Sequence, residues 1–241
     1  MTTTAVALAG AWPVDLDGGV RPAVVEADQA GGDLAARHGV PHSPGLLDVA
    51  AAARRAQPGS LLGAASNLPI GVRAVLAPAG AGQCREAVRL LEEDRGRTLR
   101  GGPEDRGSVV VDVGRVESLT SGLVALADAV VLVCRAGVDS LAHVLAFREA
   151  LPAWDQRRVV LAVVGPCPYR VAEVGAAVGV ERVVVLPWAP RSAAVLSGAA
   201  VPRRLRGSGW RPSALASAAA RLAELLAEAG IRSEDLVGSG R

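Results

Sequence analysis

Short apolar runs alternate with helix-like segments along nearly the whole chain. Most of the runs are continuous stretches of Val, Leu and Ala, rather than alternations of apolar and polar residues. Continuous runs are typical of strands that are buried on both faces, as in a parallel sheet covered by helices. The runs that we predict to be strands are Ala23–Glu26, Val72–Ala77, Ser108–Asp112, Ala129–Cys134, Val159–Gly165 and Arg182–Leu186.

The segments between these runs have the spacing of amphipathic helices. The resulting rhythm of strand, helix and strand predicts an α/β fold, a doubly wound and mostly parallel sheet with helices on both faces. We predict that the polar, Gly-rich segment Asp94–Gly107 is an exposed loop. The predicted helices are Thr3–Ala11, Gly45–Arg55, Gln83–Glu93, Ser118–Ala127, Ser140–Ala150, Val171–Val178 and Pro190–Ser197.

The C-terminal fifth of the chain differs in pattern. We expect residues 1–200 to form one domain, residues 201–211 to be a basic linker, and residues 231–241 to be a flexible tail. Between linker and tail, Pro212–Gly230 carries its leucines on one stripe and predicts an amphipathic helix that packs on the domain. Glu224 and Glu228 lie on its polar face, which disfavours a basic helix that binds membranes.

Composition narrows the functional classes. The chain is 50% hydrophobic but only 2% aromatic, its net charge is +2, and all 26 of its Lys and Arg residues are Arg. The three cysteines lie far apart and lack metal-ligand spacing, which indicates a reducing compartment. The chain shows no signal-peptide pattern and no run of the ~18 apolar residues that a membrane span needs. We therefore expect a soluble, cytoplasmic protein.

Four short stretches lie where ligands of open α/β sheets bind. A threonine run, Thr2-Thr3-Thr4, opens a helix, whose N-terminus suits phosphate. Asp28 and Asp112 each follow a buried strand, and Pro187-Trp188 follows the last strand. The carboxyl ends of parallel strands form the ligand-binding edge of such sheets.

This ordered set resembles the ParA/MinD-like P-loop ATPases of the deviant Walker A type, including divergent actinobacterial members. The resemblance covers roughly residues 1–200. It implies a nucleotide-binding switch that uses ATP and Mg²⁺, forms a homodimer and engages a protein partner. The implied process is chromosome partitioning, positioning of the cell pole or septum, or secretion or pilus assembly.

The resemblance implies a role for each of these residues. Thr2 and Asp112 would be Mg²⁺ ligands, Asp112 acting through water, and Thr3 would lie at the phosphates. A plain Thr-rich helix cap and a strand-end turn are the structural alternatives.

Asp28 would be the catalytic residue that positions the attacking water or the Mg²⁺ shell. Pro187 and Trp188 would line the base. The alternatives are a loop or capping aspartate for Asp28 and a core aromatic for Trp188. Glu26 stays open, because an acid at this place binds ribose in Rossmann folds, yet Gly80-Ala81-Gly82 follows the wrong strand for that motif.

Two features of the family's phosphate loop are missing from this sequence, namely the strand that precedes the loop and its lysine. We therefore expect that Met1 is an internal start, that the sheet lacks its P-loop strand, and that hydrolysis is impaired or absent. The alternative function is a pseudo-ATPase scaffold that acts through protein contacts. Nonspecific DNA binding through Arg203, Arg204, Arg206 and Arg211 is a further, weakly supported alternative.

Overall fold

The computed structural model describes residues 2–55, 61–100, 107–115, 121–150, 158–199 and 213–238. The chain divides into two compact units. The first unit comprises Met1–Leu126 and Pro190–Arg211, and the second comprises Ala127–Ala189 and Pro212–Arg241. The basic linker with its four arginines lies outside the described residues.

The first unit contains a four-stranded sheet with the order β2-β3-β1-β4. The central strand β1 pairs in parallel with β3 and with β4, and β2 is antiparallel to β3. All four residues of β1 are buried, as its continuous apolar run predicted. The strands are β1 (Ala23–Glu26), β2 (Ser66–Asn67), β3 (Arg73–Val75) and β4 (Val109–Asp112).

Helices cover this sheet through two apolar layers. Helix α1 buries Val6 to Ala9 and packs on β1 and β4. A second layer joins α3 and α4 to sheet residues such as Val25 and Val75. The helices of this unit are α1 (Thr2–Ala11), α2 (Leu34–His38), α3 (Leu46–Ala53), α4 (Ala81–Glu93), α5 (Arg97–Arg100), α6 (Ser121–Leu126) and α9 (Pro190–Leu196).

The second unit contains a parallel sheet with the order β5-β6-β7. Its middle strand is the most deeply buried, with five of its residues below the surface. The strands are β5 (Val130–Arg135), β6 (Val159–Val164) and β7 (Arg182–Leu186). The helices are α7 (Val138–Ala150), α8 (Val171–Val178) and α10 (Ala214–Gly238).

Helix α10 packs its apolar stripe on β6 and β7. Ser213 begins the helix, because its Oγ accepts a hydrogen bond from the Ala216 backbone N–H at 3.1 Å. The helix continues past Gly230 to Gly238, since one interior glycine costs only about 1 kcal/mol relative to alanine. In the described part of the chain, no helix is long and apolar enough to cross a bilayer.

The α/β fold class is confirmed, and each predicted strand is present within a few residues of its predicted bounds. Among the described residues, no strand precedes β1. The exposed loop predicted at Asp94–Gly107 is wrong in its first part, because α5 forms there and Asp94 and Leu99 are buried. The short elements β2 and α2 were not predicted, since two to five residues carry no readable period.

Candidate functional site

Parallel pairing brings the carboxyl ends of β1 and β4 together. Glu26, the last residue of β1, is in register with Asp112, the last residue of β4. One residue further on, the Ala27 N–H donates to the Asp112 carbonyl oxygen at 2.8 Å. The loops that follow the two strands therefore start side by side at one edge of the sheet.

The Asp112 carboxylate is buried and only partly satisfied. Its residue is 6% exposed, and its Oδ1 accepts the Gly114 N–H at 3.1 Å. Its Oδ2 is buried and has no hydrogen-bond partner among the described residues. A buried polar atom left unpaired costs about 1–3 kcal/mol, and more if it carries charge. This oxygen is therefore suited to a cation.

Asp28 lies directly against the loop that follows Asp112. Its Oδ1 accepts the Ala30 N–H at 2.8 Å. A Cβ placed on Gly114 would lie 2.2 Å from the Asp28 Cγ, and Gly114 has φ +72. Both the close approach and the left-handed backbone require glycine at this position. The structure thus joins Asp28 and Asp112 through Gly114.

Gly114 is a site residue that sequence reasoning missed. The available signal was an Asp-x-Gly sequence directly after a buried strand, Asp112-Val113-Gly114. The pattern shows that a turn follows the strand, but only the fold shows which carboxylate lies against that turn.

The Glu26 carboxylate is buried among backbone N–H groups and is not available to bind a ribose. Glu26 is 2% exposed, and its carboxylate accepts backbone N–H groups from Asp33 at 2.7 Å, Leu34 at 3.0 Å and Ala77 at 3.0 Å. Both of its oxygens are occupied by these donors. The residue is therefore part of the framework under the Asp28 loop.

Thr2 and Thr3 form the first turn of α1. The Thr3 Oγ1 lies 3.4 Å from the Ser197 Oγ, and the neighbouring Leu196 carbonyl accepts a hydrogen bond from the His38 Nε2 at 3.2 Å. The start of α1 and the end of α2 therefore both contact the end of α9. Within the described residues, neither threonine hydrogen-bonds to Asp28 or Asp112.

Burial lowers the pKa of His38, and the positive charge of Arg37 lowers it further. The hydrogen bond to the Leu196 carbonyl raises the pKa but does not cancel the effect of burial. His38 is therefore mostly neutral near pH 7. The neutral ring donates to a carbonyl and links the end of α2 to the end of α9.

In the second unit, Trp188 follows β7 and Arg135 ends β5. The Arg135 Cζ lies 5.4 Å from the centre of the Trp188 ring, within the range of a cation–π contact. Trp188 is 59% exposed, so it is not the core aromatic of the structural alternative. Pro187 is half-buried beside it.

The cysteines are free thiols. Burial raises the pKa of Cys134 to about 11, and Cys167 adds to that change. Burial likewise raises the pKa of Cys84. Protonated thiols are weak metal ligands and weak nucleophiles.

Among the described residues, no three His, Cys, Asp or Glu side chains gather into a metal site. Mg²⁺ is usually held by one or two carboxylates together with waters and the phosphates of a substrate. The unpartnered Asp112 Oδ2, with Asp28 nearby, fits such a site of few carboxylates, completed by water and phosphate. The residues present therefore suit a Mg²⁺ ion that binds with a phosphate ligand.

No family model and no curated protein matches the chain. Solved structures do match it. A ParA family ATPase from Chlorobium tepidum aligns with a TM-score of 0.67 and 15% identity, over 92% of this chain and 91% of that one. The chain has the ParA/MinD-like fold. At this identity the similarity establishes the fold alone.

Two further similar structures are MinD proteins. The septum site-determining protein MinD from Pyrococcus horikoshii, complexed with Mg-ADP, aligns with a TM-score of 0.59 and 16% identity, over 98% of this chain and 91% of that one. The MinC:MinD cell division complex from Aquifex aeolicus aligns with a TM-score of 0.57 and 16% identity, over 92% of this chain and 89% of that one.

Proposed function

We propose that this protein is a ParA/MinD-like nucleotide-binding switch that binds ATP together with Mg²⁺. The observation that carries the proposal is the buried Asp112 Oδ2, which has no hydrogen-bond partner. It lies at the carboxyl edge of a parallel sheet, where α/β folds bind their ligands. The fold shared with the MinD that was complexed with Mg-ADP supports the choice of ligand.

Asp112 would hold the Mg²⁺ through water, and the Thr2 hydroxyl would be a second ligand. When bound, Mg²⁺ neutralises negative charge on the phosphates. Thr3 would contact the phosphates from the first turn of α1, whose backbone N–H groups are unpaired there. Asp28, held beside Gly114, would position the attacking water or the Mg²⁺ shell.

We propose that hydrolysis by this chain is slow or absent. The sequence contains no lysine, and a cationic group at the transferring phosphate commonly contributes orders of magnitude to the rate. A switch that hydrolyses ATP slowly would act on its partner while ATP stays bound. With no hydrolysis at all, the protein would be a pseudo-ATPase scaffold that acts through protein contacts.

Pro187 and Trp188 are proposed to contact the base. One face of the Trp188 indole is covered by the Arg135 guanidinium. The 59% exposure of this residue leaves area for stacking on the ring.

The proposed partners are a second copy of the chain and an unidentified protein, in the cytoplasm. The fold shared with MinD in the MinC:MinD complex supports a protein partner. Chromosome partitioning, positioning of the pole or septum, and secretion or pilus assembly remain the proposed processes.

The test is the Mg²⁺ dependence of ATP binding, measured by isothermal titration calorimetry with Mg²⁺ or with EDTA. We expect wild-type protein to bind ATP more tightly with Mg²⁺, and Asp112→Asn to lose this gain, by about tenfold or more. Asp94→Asn is the matched control, because Asp94 is as buried as Asp112 but is fully hydrogen-bonded.

Two outcomes would contradict the proposal. The first is that wild-type protein binds no ATP, which would favour the scaffold. The second is that Asp112→Asn keeps the full Mg²⁺ effect, or that Asp94→Asn loses as much of it as Asp112→Asn.

A further inference from the structure

Glu26 closes the loop that carries Asp28. Its Oε1 accepts the N–H groups of Asp33 and Leu34, seven and eight residues further along the chain. The carboxylate therefore holds the far end of the loop against the strand from which the loop starts. The near end is held by β4, where the Ala27 N–H donates to Asp112.

The same carboxylate ties the loop to the end of β3. Its Oε2 accepts the Ala77 N–H at 3.0 Å, and the Gly32 N–H donates to the Pro78 carbonyl at 2.8 Å. A Cβ on Gly32 would lie 2.5 Å from the Ala77 carbonyl oxygen and 2.6 Å from the Glu26 Oε2. The loop thus lies directly on Glu26 with no room for a side chain between them.

We propose that Glu26 is a positioning residue that sets where Asp28 stands against Gly114. It acts through the backbone of residues 27–33, and it does not touch a ligand, because both of its oxygens accept protein N–H groups. The proposal rests on the proposed function in one respect, namely that Asp28 serves a Mg²⁺–nucleotide site. The geometry of the loop can be tested without any ligand.

The ligand-free test uses Cys84, which reports on the same loop. Its Sγ donates to the Pro78 carbonyl at 3.1 Å, so Cys84 and Gly32 share one acceptor. The residue is 0% exposed, and burial raises the pKa of its thiol, with the Glu26 and Asp28 carboxylates adding to that change. Release of the loop from Glu26 would therefore open a path to this thiol and speed its alkylation.

The variant is Glu26→Gln, which keeps the size of the side chain. The glutamine carbonyl oxygen cannot accept hydrogen bonds from all three backbone N–H groups. Its NH₂ group only donates, so it cannot replace the second carboxylate oxygen as an acceptor. We expect N-ethylmaleimide to modify Cys84 about tenfold faster than in wild type, by peptide mass spectrometry, since a local opening lowers protection without unfolding the whole chain. Glu93→Gln changes an exposed acid of α4, the helix that carries Cys84; it is the control and should leave the rate unchanged.

Gly32→Ala is the second variant, because it pushes the loop off Glu26 and leaves the carboxylate intact. Gly32→Ala should also expose Cys84, and it tests the proposal even if Glu26→Gln does not fold. Glu26→Gln also removes a charge that raises the Cys84 pKa, whereas Gly32→Ala keeps that charge. Unchanged alkylation in Gly32→Ala, or equal acceleration in Glu93→Gln, would therefore overturn the proposal.

The ligand test is a double-mutant cycle on Mg²⁺–ATP affinity. We expect Glu26→Gln and Asp28→Asn to weaken binding by similar factors, and the double variant to bind no more weakly than Asp28→Asn alone, because both act through one group. Additive losses would show that Glu26 acts independently of Asp28 and would overturn the proposal. If wild type binds no Mg²⁺–ATP, the proposed function fails, while the Cys84 rates still decide whether Glu26 holds the loop.

Discussion

Gly114 controls the geometry of the candidate site because it has no side chain. Its φ of +72 lies in the left-handed region, and the Asp28 carboxylate occupies the space of a Cβ. Two separate constraints therefore act on this residue. Gly39 is under only the first of them, with φ +64 and no heavy atom within 4 Å of the position that a methyl group would take.

We expect Gly114→Ala to destabilise the protein more than Gly39→Ala does. Backbone strain alone costs about 1–2 kcal/mol in the left-handed region, and Gly39→Ala measures that term. Gly114→Ala must also displace Asp28, so it should additionally weaken the Mg²⁺ effect on ATP binding. Urea unfolding and calorimetry give the two quantities, and equal destabilisation by the two variants would contradict the contact between Asp28 and Gly114.

At the scale of elements, one carboxylate joins α4 to α5. Asp94 ends α4, and its Oδ2 accepts both the backbone N–H and the Oγ1 hydroxyl of Thr98 at 2.7 Å. Desolvation opposes ionisation of Asp94, but the hydrogen bonds from Thr98 and Arg97 outweigh it and lower its pKa. These contacts hold the start of α5, a short helix in a polar, Gly-rich stretch that buries Thr98 and Leu99.

We expect Asp94→Asn to lower the free energy of unfolding by about 1–3 kcal/mol at pH 7. The folded pKa lies below the unfolded value of about 3.9, so the ionised carboxylate stabilises the fold above that value. This contribution is lost as pH falls through the folded pKa. The difference between wild type and variant should therefore shrink below about pH 4, as measured by urea unfolding at several pH values.

Glu93→Gln is the control for this prediction. Glu93 is the adjacent acid, but it is exposed and pairs with Arg89. Its loss should change stability by less than about 1 kcal/mol. A pH-independent effect of Asp94→Asn would show that the ionised carboxylate is not what stabilises this corner.

At the scale of the whole molecule, both units are discontinuous in sequence. Helix α9 belongs to the first unit, although it follows the last strand of the second. Helix α10 then belongs to the second unit and packs on β6 and β7. Each unit is therefore completed by chain from the C-terminal quarter, and the second depends on α10 to cover its sheet.

We expect Leu222→Ala to destabilise the second unit by about 2–5 kcal/mol, the range for a buried leucine in a core. Leu222 is 0% exposed on the face of α10 that packs on the sheet. Leu225→Ala is the matched control in the same helix and should cost less, because Leu225 is only half-buried. Urea unfolding compares the two, and equal costs would contradict the observed orientation of α10.

The local pattern alone predicts six of the seven strands in the described residues, the fold class and the residues at the strand ends. Continuous runs of Val, Leu and Ala were sufficient to predict these strands, because a strand that is covered on both faces is apolar at successive positions. The cap at Ser213 is likewise a local feature, since its Oγ accepts the backbone N–H three residues further on. Asp28 and Asp112 were selected by their places after such strands.

Which of these residues contact one another depends on how distant segments pack. Glu26 accepts an N–H from Ala77, 51 residues away, and no local pattern encodes that bond. Gly114 lies against Asp28 because β1 and β4 pair in one particular register. Asp94 is buried because α5 folds back on it, which outweighs the polar, Gly-rich composition of its segment. Periodicity reports the environment of each segment, whereas contacts between distant segments depend on strand order and register.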